Sequence, residues 1–344
     1  MKVAIIGASG YVGAELISLL IQHPKAVVVH LLVSENSTSC GKNLIELYPR
    51  LQGLCALSLQ SFSSQWLSDN IDSFDVAFLA TPHELSHDIS ASLINAGKLV
   101  FDLSGAFRMK DCDMYPEFYH FSHQFPDLLD QAVYGLAEWK QSEIQTAKLV
   151  AVPGCYPTAS LLSLMPIIQN DLQAEDGLIV VNGISGVSGA GRKASLATSF
   201  NEVSLTAYNV LAHRHQPEIS EICGQQVIFN PHLAPYKRGL LATVTLNTKA
   251  GVTVSDIDAA FEQAYHNKTM VRVSQQWPKI DNVAHTPFAD IHWKFDERQQ
   301  VLVVSCAIDN LLKGAASQAV QCFNITQNLP VETGLVHGGY NVSG

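Results

Sequence analysis

The stretch from Lys2 to Ile21 constrains this chain more than any other. Lys2-Val-Ala-Ile-Ile6 is a continuous apolar run, and Gly7-Ala-Ser-Gly10-Tyr-Val-Gly13 follows it without a break. From Ala14 to Ile21 the apolar residues recur at helical spacing. A strand that is apolar throughout belongs in a parallel sheet covered on both faces. Strand, glycine turn and helix together open a doubly wound α/β domain, in which backbone amides approach a pyrophosphate at the helix N-terminus. The spacing is G-x-x-G-x-x-G, because Ala8 and Ser9 stand between the first two glycines. Gly7, Ser9, Gly10, Tyr11, Val12 and Gly13 are therefore the candidate dinucleotide contacts.

Further strands of the same kind follow. Val27-Val-Val-His-Leu-Leu-Val33 ends at Ser34-Glu-Asn-Ser-Thr-Ser-Cys-Gly-Lys42, where such a domain meets the adenosine ribose. Ser34, Ser37 and Lys42 suit the extra phosphate of NADP, while Glu35 suits the free hydroxyl of NAD. The balance favours NADP(H). Phe74–Ala80 is a strand, and Thr81-Pro82-His-Glu-Leu-Ser86 reads as the turn beside the cofactor, with His83 lining it. Lys98–Asp102 repeats the pattern and leads to Ser104 and Arg108. Arg108 is either an anion binder or an ordinary surface arginine. Leu149–Val152 is the last strand of this half.

That strand delivers Val150-Ala-Val-Pro-Gly-Cys155-Tyr-Pro-Thr158, and a helix reads from Ala159 to Ile168. Pro157 fits a first helical turn, where no amide hydrogen bond is lost. Cys155 then sits at a helix mouth, where unpaired N–H groups and the dipole favour a thiolate nucleophile. The competing reading is a small buried hydrophobe.

Past Cys155 the candidate groups concentrate in three places. Ile184-Ser185-Gly-Val-Ser188-Gly-Ala-Gly-Arg192-Lys193 reads as an anion cradle of backbone amides and cations. In His213-Arg214-His215-Gln-Pro-Glu218, a helix starting at Pro217 would put Glu218 near enough to orient His215 as an acid/base. A metal site is the rival, but no further ligand pair accompanies these histidines, and none is expected. Phe229–Arg238 reads as a turn-rich loop, with Arg238 at the entrance of an alternating strand through Leu246. Val254–Tyr265 reads as an amphipathic helix opened by Ser255-Asp256, and Gln300–Ile308 as a strand. Several strands with few helices between them imply a mixed sheet, a surface on which subunits often pair. Asp309–Phe323 reads as a turn and a small-residue helix that returns to the nucleotide domain, and the tail from Leu329 reads as surface.

Composition narrows the classes. The chain has 344 residues, more than one ordinary core accommodates. The expected division is 1–152 for the nucleotide domain, 153–310 for a catalytic and oligomerisation domain, and 311–344 for the returning helix and tail. No apolar run approaches the roughly 18 residues of a membrane span. The start of the chain resembles a secretory leader only until Gly7 interrupts it. A net charge of −10 without a basic run argues against nucleic acid. Seven scattered cysteines without a CxxC pair fit a reducing, cytoplasmic setting.

Taken in order, Gly7–Gly13, Asp102–Arg108, Pro153–Thr158, Ser185–Arg192, His213–Glu218 and Asp309–Ala315 make the chain resemble, nearly end to end, the N-acetyl-γ-glutamyl-phosphate reductases of the semialdehyde dehydrogenase group. It departs at Gly105-Ala106, where that family often has an acidic residue, and at Glu35. The resemblance implies a Rossmann-type domain joined to an α+β domain with a mixed sheet, as in glyceraldehyde-3-phosphate dehydrogenase. It implies NADPH-dependent reduction of N-acetyl-γ-glutamyl phosphate to the semialdehyde, in arginine biosynthesis, by a homodimer or homotetramer. Cys155 would be the nucleophile and His215 the acid/base, supported by Glu218, with His213 in reserve. Arg108, Ser185, Ser188, Arg192, His213, Arg214 and Arg238 would hold the substrate. Thr81, Pro82, Ser104, Asn310, Lys313 and Gly314 would join the cofactor contacts. A related acyl-phosphate reductase, of aspartyl or aminoadipyl type, and a non-catalytic NADP-binding regulator are the alternatives.

Overall fold

The computed structural model describes residues 1–336, and these divide into two compact units, Met1–Pro153 with the chain from Ala315 on, and Gly154–Gly314. In the first unit the apolar runs become β1 (Lys2–Ile6), β2 (Val27–Ser34), β3 (Leu59–Phe62), β4 (Val76–Leu79), β5 (Leu99–Asp102), β6 (Val133–Tyr134) and β7 (Leu149–Ala151). Their order is β3-β2-β1-β4-β5-β7-β6, and every pairing is parallel. Val3 to Ile6 are buried, as a strand between two helical layers requires. The direction of winding reverses at β1, between β2 and β4. The carboxyl ends of strands at such a reversal form the crevice that open α/β sheets use for ligands.

The second unit carries β8 (Ile179–Gly186), β9 (Thr206–Ala207), β10 (Val227–Ala234), β11 (Leu240–Asn247), β12 (Val271–Val273), β13 (Ala289–Asp296) and β14 (Val301–Ile308). Their order is β12-β13-β14-β11-β8-β10-β9. The sheet is mixed: β8 runs parallel to β10 and antiparallel to β11. Buried Val181, Phe229, Ala242 and Val244 alternate with half-buried neighbours such as Val180, Asn182 and Ile184, the period of a sheet with one fully covered face. Two sequence expectations need correction here. Phe229–Ala234 is not a turn-rich loop but most of β10. Pro231 is tolerated there because β10 is flanked on one side only by the two-residue β9, so one missing N–H costs the ladder little. The helix Val254–Tyr265 is opened by Thr253, whose side chain forms a capping box with Asp256, rather than by Ser255.

The helix Cys155–Gln169 is buried along nearly its whole length, yet contains Pro166. A proline there removes the N–H that would bond the carbonyl of Leu162. Tyr265 supplies the missing donor: its hydroxyl donates to the Leu162 carbonyl at 2.5 Å.

From Ala315 the chain rejoins the first unit with the helix Ser317–Thr326. Cys322 meets the Gly135 carbonyl, Asn324 accepts at 2.8 Å from Nε2 of His23, and the Phe323 ring packs on Phe78 and Phe101. The segment after it is packed, contrary to the surface tail expected from Leu329. Asn324 donates to the carbonyls of Val331 and Thr333, and Leu335 is buried. Residues 337–344 lie outside the described structure. No helix among the described residues is long and apolar enough to cross a membrane.

Candidate active site

Cys155 is the first residue of its helix, four residues earlier than the apolar pattern placed the start, and Gly154 is the extended N-cap. No side chain caps this end, so its amides and the dipole act on a half-buried thiol. The Gly154 N–H is fixed by Glu218, whose Oε1 accepts it at 3.0 Å. Glu218 is wholly buried, and its Oε2 lies 4.0 Å from Nε2 of His215. The helix His215–Cys223 starts at His215, so Glu218 stands one turn on, the i, i+3 relation read from the sequence. One carboxylate thus links the start of the cysteine helix to the histidine.

His213 does a different job. Its Nδ1 accepts from the His215 N–H at 3.1 Å, so it caps the second helix. Its ring is enclosed by Tyr156, Tyr208, Phe229 and His215. Burial, and secondarily the Arg214 charge, push its pKa down from 6.5 to about 4. Between those values the unfolded chain binds a proton that the folded chain refuses. Stability is therefore complete above about pH 6.5 and declines as pH falls toward 4, by about 1.4 kcal/mol per pH unit for each such group. His123 in the first unit is pushed to about 4 in the same way. Denaturant midpoints measured from pH 7 to 4.5 should show this slope, reduced but not abolished by His213→Asn.

Around these groups Asp309 and Asn310 tie the local backbone together. Asp309, wholly buried, accepts from the N–H groups of Leu311 and Leu312 with one oxygen. The other takes Nε of Arg238 at 2.5 Å and the His285 N–H at 2.6 Å. Asn310 accepts from the Gly239 N–H and donates to Ser188 Oγ at 2.9 Å. Leu312–Ala316 forms a wide turn in which the Gly314 N–H reaches back to the Asp309 carbonyl, and Lys313 is fully buried within it. Gly314 packs on Cys155: a Cβ there would stand 2.6 Å from the Cys155 Cβ. Gly314→Ala should therefore displace Cys155 and lower kcat about 10²-fold, which steady-state rates check.

Ser185 is buried at the end of β8 and Ser188 is half-buried. Arg192, Lys193 and Arg214 are exposed. Of the backbone amides expected to form a cradle at Ile184–Lys193, four are already engaged. The N–H groups of Gly186, Val187 and Ser188 donate to the carbonyls of Gly239, Tyr236 and Lys237, and that of Gly191 to Ser188. Amides spent in a loop-to-loop ladder cannot also hold an anion, so those of Gly186, Val187, Ser188 and Gly191 are withdrawn from a cradle.

In the first unit Gly7 has φ +93, and a Cβ on it would lie 2.1 Å from the Ala80 carbonyl oxygen. A Cβ on Gly13 would lie 2.4 Å from the Gly7 oxygen, so only glycine fits either place. Gly10 caps the helix Tyr11–Leu20 without a side chain, leaving the first-turn amides of Tyr11, Val12 and Gly13 without intrahelical acceptors. The Tyr48 hydroxyl donates to the Ser9 carbonyl at 2.8 Å, bracing the loop. Ser34, the last residue of β2, and Lys42 beyond it are exposed, and Ser37 Oγ accepts from the Ser39 N–H. Thr81 and Ser86 hydroxyls share a 2.7 Å bond, and Pro82 precedes the helix His83–Asn95. His83 is thus helical, packed on Tyr119 and Phe121, rather than in a turn. Ser104 N–H donates to buried Asp102. Arg108 is buried too, donating to the carbonyls of Val152 and Leu103, and so is no surface arginine.

Two family models match the chain: the semialdehyde dehydrogenase NAD binding domain over residues 2–147, and the semialdehyde dehydrogenase dimerisation domain over 155–310. The chain is 54% identical to the N-acetyl-gamma-glutamyl-phosphate reductase of Alteromonas mediterranea, covering 97% of this chain and 99% of that one. The Aliivibrio fischeri reductase is 51% identical, covering 98% and 100%. This chain belongs to the N-acetyl-γ-glutamyl-phosphate reductases. Among solved structures, aspartate semialdehyde dehydrogenase II of Vibrio cholerae complexed with ASA shares the fold, with a TM-score of 0.71 at 18% identity over 95% of this chain and 98% of that one. An aspartate semialdehyde dehydrogenase with NADP from Candida albicans does so at 0.67 and 15%, covering 95% and 98%.

Within this reductase fold several contributors carry no motif of their own. Tyr48 stands far from the glycine turn in sequence, and nothing local marks it. Asp309 could have been noticed, because an Asp followed by a turn often accepts its own next amides. Gly105 has a plain steric reason: a Cβ would overlap the Tyr119 ring at 2.0 Å.

Proposed function

We propose that the chain reduces N-acetyl-γ-glutamyl phosphate to N-acetylglutamate 5-semialdehyde and phosphate, with NADPH as reductant, through a Cys155 thioester. The observation that carries this reading is Glu218, which accepts the N–H of the Gly154 N-cap at 3.0 Å and places its other oxygen 4.0 Å from Nε2 of His215. In this mechanism the Cys155 proton passes to His215, and the thiolate attacks the acyl carbon. The carbon–oxygen bond to phosphorus breaks and phosphate leaves with the electron pair. NADPH, when bound, supplies the hydride that reduces the thioester. The His215 imidazolium protonates the resulting oxyanion, then recovers the proton as the carbon–sulfur bond breaks and the thiolate re-forms. Amides at the Cys155 helix start stabilise the developing negative charge. Ser185, Ser188, Arg192 and Arg214 are the groups we assign to the substrate anions. Arg238 is assigned a supporting place, through its ion pair with Asp309.

The glycine loop fits a dinucleotide pyrophosphate, since its close backbone approach leaves no room for side chains. Ser34, Ser37 and Lys42 favour the NADP form over Glu35. We further infer a homo-oligomer assembled through the second unit, which the dimerisation-domain match supports. Seven cysteines, all free thiols, fit a reducing cytoplasm.

The test runs the reaction backwards. N-acetylglutamate semialdehyde, phosphate and NADP⁺ should give phosphate-dependent NADPH, and aspartate semialdehyde should not. Activity with aspartate semialdehyde alone would keep the chemistry and discard the substrate.

A further inference from the structure

Between Ser188 and His213 the second unit carries a segment that the rest of the chain scarcely covers. From Gly191 to Ala212 only Thr198, Val203 and Tyr208 escape full exposure. Such a stretch is normally polar, because exposed apolar groups gain nothing from water. Here Phe200 is 93% exposed, Leu196 74% and Leu211 62%, and Leu205 and Val210 are exposed as well. Among its ties to its own unit are the two-residue β9 on the edge of the sheet, the Tyr208 N–H on the Pro231 carbonyl, and the Tyr208 side chain, which packs on His213 and hydrogen-bonds Tyr156.

A second observation is independent of exposure. Leu211 has φ +60 and Asn209 φ +45. Asparagine tolerates left-handed backbone, but leucine does not do so readily, and such strain persists only where surroundings impose it. Among the described residues little covers Leu211, which stays 62% exposed. A partner outside the described residues would supply the surroundings that such a backbone calls for.

We propose that Gly191–Ala212 is an arm that docks on a second copy of this chain, and that docking completes the site whose two flanks the arm joins. The proposal rests on the homo-oligomer reading given above. A second copy is the favoured occupant because the family's dimerisation domain, residues 155–310, contains the arm entire. A lid over the chain's own site is disfavoured, because side chains as exposed as Phe200 and Leu196 cover little of their own chain. The coupling follows from the arm's ends. On one side stands Ser188, bonded to Asn310; on the other stands His213, which caps the His215 helix. An arm left loose would loosen both. Phe200 would bury about 150–250 Å². A standard interface takes about 800 Å² from each partner, so the arm is part of a larger contact.

The experiment uses the full chain carrying Leu196→Asp and Phe200→Asp together. Both positions are exposed, so the fold should survive, and circular dichroism with a thermal melt checks it. Sedimentation velocity over a dilution series should show self-association at least about tenfold weaker than in wild type. Activity per chain in the reverse reaction should fall on dilution in step with dissociation, and return on concentrating. Association equal to wild type overturns the proposal, including the case in which only KM changes, which would make the arm a lid. Dissociation with undiminished activity overturns it too, since the site would then be complete in one chain. A wild type that stays monomeric at every concentration instead removes the homo-oligomer reading on which the proposal rests.

Discussion

Replacing Cys155 with alanine should lower turnover by at least about 10⁴-fold, because no other group offers a nucleophile at that helix start. Alanine leaves the Gly154 N-cap and its bond to Glu218 in place, so the backbone donors stay where they are. NADPH binding, followed by fluorescence titration, should be unchanged, since the glycine loop belongs to the other unit. Serine at the same position is nearly isosteric but a far weaker nucleophile at neutral pH, and should be almost as inactive. Near-normal turnover in the alanine variant would mean that hydride reaches the acyl phosphate without a thioester.

The second large effect is expected at His215. His215→Asn should cost about 10²–10⁴-fold in kcat and remove the limb of the pH–rate profile that reports its titration. His213→Asn should cost much less and leave that limb in place. Asparagine readily accepts from the N–H two residues on, as His213 does, and a ring whose pKa is pushed to about 4 carries no proton to donate near neutrality. Profiles of kcat/KM for the two variants decide the matter. A larger loss at His213, with its limb gone, would exchange the roles of the two histidines.

What the sequence disclosed and what it hid follow from the range of the interactions. Gly7, Gly10 and Gly13 were legible because a tight turn between strand and helix is a local demand that only glycine meets. The spacing of His215 and Glu218 was legible because one helical turn fixes it. The bond from Glu218 to the Gly154 amide was not, since it joins two helices distant in sequence. The same limit applies to Ile184–Lys193. Glycines and hydroxyls announce a loop rich in amides, but not that Tyr236, Lys237 and Gly239 carbonyls take those amides up. Pro231 misled for the opposite reason: proline signals a turn until the neighbouring strand proves too short to need its N–H. Gly314 was placed among the cofactor contacts by resemblance alone, whereas its packing against Cys155 belongs to tertiary structure.

The return of the chain to its first unit has a consequence for how the protein is made. A ribosome completes β1 to β7 and then the entire second unit before the helix Ser317–Thr326 emerges. At about 5–20 residues per second, that interval lasts roughly ten to thirty seconds. Throughout it Phe78 and Phe101 lack Phe323, and His23 lacks Asn324. The second unit, continuous in sequence, can finish while the first still waits for its closing piece. A nascent chain stalled or cleaved in that interval leaves the Phe78 and Phe101 rings without their Phe323 cover, apolar surface of the kind that chaperones hold and aggregates share. The order of synthesis thus makes the half that comes first the last to be completed.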